Sequence, residues 1–180
     1  MPRLREIKAS QMLSNLIRHR NKTTMTVMAM VIAVIVLMGT ACQRRPVLAT
    51  ARFVHLPSTG WQSSSPLSFS PVYGDSTLSY SLTLAVRHTN GYRDRNLSLV
   101  VDIIAADSSV NRKALDLSLA DEYGNWSGGG FGALYQVTGP IVSGVTPQQA
   151  RNVAVWQTMA GCDTLHGIVD VGIIADPIKY

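Results

Sequence analysis

The feature that most restricts what this chain can fold into is a period of two. Leu78, Tyr80, Leu82, Leu84 and Val86 alternate with Ser79, Ser81, Thr83 and Ala85, so in an extended chain the two sets line opposite faces. Leu97, Leu99, Val101 and Ile103 repeat the pattern. So do Leu115, Leu117 and Leu119 against Asp116 and Ser118, and Val169, Val171 and Ile173 against Asp170 and Gly172. Such runs read as strands with one face in a core. Between them lie T-N-G-Y-R-D-R-N (89–96) and D-E-Y-G-N-W-S-G-G-G (121–130), rich in residues that tolerate the backbone angles of turns. Ser58 to Ser70 is rich in Ser, Pro and Gly around Trp61 and predicts a loop, with at most a short strand at Leu67 to Ser70. No segment past Cys42 carries a helical stripe. Seven or eight short strands joined by turns predict an all-β domain over residues 53–180, an antiparallel β-sandwich of jelly-roll type.

The N-terminal quarter reads differently. Residues 1–41 hold Arg3, Arg5, Lys8, Arg18, Arg20 and Lys22 against Glu6, a net 6 − 1 = +5, whereas the rest of the chain holds 10 basic and 10 acidic residues and nets zero. The whole-chain charge of +5 therefore belongs to the leader, and the domain behind it has no basic footprint for nucleic acid. After Lys22, residues 25–41 carry neither charge nor proline. That length suits a signal-peptide core or a short membrane anchor. L-M-G-T-A-C, Leu37 to Cys42, resembles a bacterial lipobox, in which small residues precede a cysteine that is cut free and alkylated by diacylglycerol. Leu37 stands two residues further back than the usual Leu, whose place Gly39 takes. The expected organisation is a signal peptide (1–41), a lipidated Cys42 with its tether (42–52) and the sandwich domain (53–180). An uncleaved anchor is the competing expectation, and Met12 is an alternative start to Met1.

Little in the domain suggests catalysis. If Cys42 carries lipid, Cys162 is left over, read as a small buried apolar residue; a Cys42 to Cys162 bridge would exclude lipidation. His55, His88 and His166 have no partner at ligand spacing, so no metal site is expected. Asp75, Asp102, Asp116 and Asp170 fall on outward strand positions or loops, which predicts solvated carboxylates and no acid/base pair. There is no G-x-S-x-G elbow, and Gly128 to Gly130 lacks the Lys and the helix of a phosphate loop, so it reads as a tight turn. No cofactor is expected. Trp126, beside Tyr123 in a glycine-rich loop, or Trp61 could stack on a sugar ring if exposed; otherwise Trp126 and Trp156 plug the ends of the core.

Three blocks carry a family resemblance: R-H-T-N-G-Y-R-D-R-N-L (87–97), L-A-D-E-Y-G-N-W-S-G-G-G (119–130), and Gln157 and Met159 followed by L-H-G-I-V-D-V-G-I-I (165–174). On them the chain resembles the GldH family of gliding-motility lipoproteins from about Phe53 to Asp176. It departs from the family's pattern at Tyr92-Arg93 and Met159-Ala160. The resemblance implies a non-enzymatic structural part of a cell-envelope motility or associated secretion machinery, with other envelope lipoproteins or motility and secretion proteins as partners and no catalytic residues. Q-R-R follows Cys42 with no acidic residue, which points to the outer membrane facing the periplasm. D-S-T (75–77) and D-T-L (163–165) also look like the short O-glycosylation signal of bacteria that carry this family, at Ser76 and Thr164. A carbohydrate-binding lipoprotein and a hydrolase are the alternatives, the first needing an exposed tryptophan and the second convergent carboxylates or a Ser and a His.

Overall fold

The structure is a computed structural model in which residues 30 and 47–178 are described. Cys42 and, but for residue 30, the whole of 1–41 lie outside the described residues, and no helix among those described is long and apolar enough to cross a membrane. The strands are β1 (Thr50–His55), β2 (Trp61–Gln62), β3 (Leu67–Phe69), β4 (Tyr80–Thr89), β5 (Asn96–Ile104), β6 (Val110–Ser118), β7 (Gly129–Phe131), β8 (Leu134–Val145), β9 (Asn152–Gln157), β10 (Thr164–Leu165) and β11 (Ile168–Pro177). A five-stranded sheet has the order β1-β11-β4-β8-β7, a four-stranded sheet the order β3-β9-β5-β6, and β10 pairs with β2. All these pairings are antiparallel. The expected all-β, jelly-roll-like antiparallel sandwich is the fold.

The alternation works as anticipated. Tyr80, Leu82, Leu84 and Val86 of β4 face Leu97, Leu99, Val101 and Ile103 of β5 within one buried cluster, to which Val171, Ile173, Val153, Val155 and Leu117 also belong. Burying each large aliphatic side chain contributes about 1.5–3 kcal/mol.

Several sequence expectations need correction. Eleven strands replace seven or eight because β2, β3, β7 and β10 are only two or three residues long. β1 takes Thr50 to Arg52 out of the segment expected as tether and pairs them with β11. Val169 does not share the phase of Val171: the register with β4 jumps from Ile168↔His88 to Asp170↔Arg87, so Val169 is the extra residue of a bulge and Ile168 takes the core place. β8 shows no clear alternation in the sequence because Gly139, Pro140 and Gly144 interrupt it. Pro140 is tolerated because Ile141 is bulged beside it, between Leu82↔Val142 and Thr83↔Pro140. Trp156 lies across from Val100 with the Arg112 guanidinium 5.7 Å from its ring centre; it is not a core plug. The run Gly128 to Gly130 enters an edge strand. Gly128 has φ +87°, and a Cβ there would stand 2.1 Å from the Gln136 carbonyl oxygen, so only glycine lets β7 approach β8 this closely.

Candidate functional site

Antiparallel register sets one row of residues across the outer face of the five-stranded sheet. His55 pairs with Asp170, Asp170 with Arg87, Arg87 with Gln136, and Gln136 with Gly129. The adjacent row, on the inner face, is Val54, Val171, Val86 and Val137. One step along each strand thus exchanges a valine row for a polar one. His55 Nδ1 lies 2.9 Å from Asp170 Oδ1, and Arg87 Nη1 lies 3.5 Å from Asp170 Oδ2. Arg87 Nε donates to Gln136 Oε1 at 2.9 Å. The Asp170 side chain is 16% exposed and that of Arg87 35%, so a carboxylate sits between a guanidinium and an imidazole at a half-wet surface.

The row's apolar support is built from a missing side chain. A Cβ on Gly172 would stand 2.5 Å from the Phe53 ring, so Phe53 lies over that glycine, and the Arg87 guanidinium stacks 4.1 Å from its ring centre. Beyond Gln136 the side chains stop at Gly129 and Gly130. An open cavity of about 430 Å³ lies there, lined by Arg87, Gly129, Gly130, Leu134, Tyr135 and Gln136.

Directly inside this end of the sheet is a second cluster. His88 is fully buried, with its ring 4.7 Å from Trp126, 5.5 Å from Tyr135 and 6.0 Å from Tyr92. Its Nδ1 donates to the Thr89 carbonyl at 3.2 Å, which leaves Nε2 buried without a partner. Burial holds the imidazole below its ordinary pKa, with the Thr89 carbonyl opposing. Tyr92 donates to the Asn96 carbonyl at 2.8 Å, and burial, then Asp94 and Cys162, push its phenol up. The Trp126 loop is pinned by Asp121, whose carboxylate accepts from the Tyr123 and Asn125 amides and from Asn125 Nδ2. These bonds, led by Asn125, hold it below the usual carboxylate range.

Each block singled out in the sequence ends in one of these clusters. The first supplies Arg87, His88 and Tyr92; the second Asp121 and Trp126; the third Asp170 and Gly172. Gly167 fastens the first to the third, its carbonyl accepting from the Thr89 amide. The buried Gln157 carboxamide, which donates to the Cys162 carbonyl and accepts from the Met159 amide, shapes the loop before the third block. His55 carries no sign of this role in its own strand, because a row across four strands has no signature within any one of them. Asp102 also departs from expectation. It is on an outward position yet only 5% exposed, gripped by Arg112 Nε and Nη2 at 2.7 Å each, and that grip, against the cost of burial, holds its pKa down.

Trp61 is 2% exposed, with its indole donating to the Ser65 carbonyl, and Trp126 is half-buried against the core. Trp61 therefore has no free face for a sugar. Among the described residues no serine hydroxyl hydrogen-bonds a histidine, and no group of three or more His, Cys, Asp or Glu could hold a metal ion. Cys162 is a free thiol, half-buried against the core.

The fold defines an antiparallel β-sandwich domain. A family description, the GldH lipoprotein, matches residues 49–174, and this chain belongs to the GldH lipoprotein family. It is 26% identical over 145 residues to the "Gliding motility lipoprotein GldH homolog" of Christiangramia forsetii, covering 76% of this chain and 87% of that protein. Among solved structures it is similar to the Tobacco streak virus coat protein, with 8% identity, a TM-score of 0.34, and 77% of this chain and 93% of that one covered. It is also similar to a family 35 carbohydrate binding module from Clostridium thermocellum, with 13% identity, a TM-score of 0.30, and 70% and 90% covered. At these TM-scores neither likeness bears on fold or function.

Proposed function

We propose that this chain is a lipid-anchored structural component of a cell-envelope assembly, held through Cys42 at the outer membrane facing the periplasm, and that it binds proteins of a motility machinery or the associated secretion machinery. The observation that carries this reading is the family match over 49–174, joined to a lipobox-like segment that ends at Cys42. The exposed partner of the assembly is the outer row of His55, Asp170, Arg87 and Gln136, because the sequence blocks on which the resemblance rests meet beneath and within it. Each buried acyl methylene contributes about 0.8 kcal/mol, and more than one chain makes such an anchor lasting.

Two measurements test this. Radiolabelled palmitate enters the native protein and not Cys42→Ala; label that persists in the variant refutes lipidation at this residue. Affinity purification of the lipidated protein from membranes recovers envelope proteins, and His55→Ala combined with Gln136→Ala lowers that recovery while the melting temperature stays within a few degrees. Unchanged recovery moves the docking surface elsewhere, and recovery of no envelope protein refutes the structural role.

A further inference from the structure

We infer that the β6 edge of the four-stranded sheet is a self-pairing surface, on which a second copy of this chain adds its own β6 antiparallel about a two-fold axis at Ala114. β6 ends its sheet and pairs with β5 without interruption from Asn96↔Ser118 to Ile104↔Val110. An edge of nine residues with no bulge and no proline lacks two of the devices that stop strands from adding.

The ladder's phase is fixed at both ends. The Leu119 amide donates to the Arg95 carbonyl, and the Ala105 amide to the Ser109 carbonyl. Both pairs belong to the same register, so the odd-numbered residues of β6 exchange hydrogen bonds with β5. The even-numbered residues, Val110, Arg112, Ala114, Asp116 and Ser118, therefore direct their amide and carbonyl groups away from β5, and no strand among the described residues receives them.

Charge selects the register. With Ala114 opposite its own copy, Arg112 faces Asp116 of the second molecule and Asp116 faces its Arg112, giving two opposite-charge pairs from one symmetry operation. Moving the axis to position 112 or 116 sets Arg against Arg or Asp against Asp. Both side chains keep capacity for this. Arg112 uses Nε and Nη2 on Asp102, leaving Nη1, and Asp116 uses Oδ1 on Ser98, leaving Oδ2. Lys113, the charge that would otherwise guard this edge, points to the inner side and donates to the Ile141 carbonyl at 3.3 Å. Ala114 at the axis is the smallest side chain of the five, and Val110, 55% exposed, falls opposite Ser118.

The test uses the full chain with Cys162→Ser. In an antiparallel hydrogen-bonded pair the Cα atoms stand about 5.5 Å apart, within the span of a disulfide, so Ala114→Cys, oxidised with copper phenanthroline in isolated membranes, gives a covalent species of two chains. Adding Asp116→Arg puts arginine opposite Arg112 at both sites and lowers the cross-linked fraction roughly ten- to thirtyfold. Without the cysteine at 114, Ala114→Pro removes an outward amide that no strand among the described residues receives, so the melting temperature holds while the mass by analytical ultracentrifugation falls from two chains to one. Absence of the cross-link, its persistence with Asp116→Arg, a mass of one chain for the unmodified protein, or a cross-link to a different protein would each overturn the inference.

Discussion

His88 is where a single atom has the widest effect. Its imidazole is buried among Tyr92, Trp126 and Tyr135 with Nε2 unpartnered, so a second proton would place an unpaired charge in an apolar cluster. The folded pKa is lowered below 6.5 while the unfolded chain keeps its ordinary value. Above that value both states are neutral and the histidine leaves stability unaffected. As pH falls below it the unfolded state takes up protons first, and stability drops until the folded imidazole protonates too. Urea unfolding of the wild type is therefore expected to show a fall in stability from pH 7 to pH 5 that is shallower in His88→Phe, which keeps the ring packing; equal slopes would refute this account. Gln157 carries a comparable burden in neutral form. Gln157→Leu strips partners from the Met159 amide and the Cys162 carbonyl and is expected to cost about 2–4 kcal/mol, measured as a lower urea midpoint at unchanged slope.

Among elements, the strands with uninterrupted alternation were legible and those shaped by close approach were not. β4 and β5 announce their buried faces residue by residue, because a sheet with one wet face imposes a period of two. β7 announces nothing: three glycines look like a turn, and their reason, the Gln136 carbonyl against Gly128, belongs to another strand. The bulge at Val169 is equally silent, since apolar residues occupy Ile168 and Val169 alike and only pairing with β4 decides which turns inward. The same contrast can be measured. Gly124 and Gly128 both have positive φ, but a Cβ on Gly124 meets nothing within 4 Å. Gly124→Ala is expected to cost about 1–2 kcal/mol, the left-handed backbone penalty alone. Gly128→Ala, which adds the collision, is expected to cost more in the same thermal denaturation series and to expose the β7 amides to hydrogen exchange.

For the whole molecule, charge is the property that removal of a leader would change most. Residues 1–41 carry the entire excess of +5, so removing them takes the chain from a pI near 9.5 to near neutrality. Isoelectric focusing of membrane-extracted protein is expected to show the near-neutral form, and a band that stays strongly basic would mean that the leader is retained. The family was readable because its blocks are contiguous stretches of sequence. The surface row was not, because His55 and Asp170 stand 115 residues apart and become neighbours only through the register of β1 on β11.

That register has a mechanical consequence. Tension arriving along the chain ahead of Thr50 enters the domain through β1, an edge strand held to β11 by the pairs Thr50↔Ala175 to His55↔Asp170. If the opposing pull is applied at the C-terminal end of β11, beside Thr50, the two strands unzip one pair at a time and yield at low force. If it is applied at the opposite end of the sandwich, beside His55 and Asp170, every pair is strained together in shear. The same hydrogen bonds would then withstand a much larger force, so where a partner grips this domain decides whether it behaves as a weak link or as a strut.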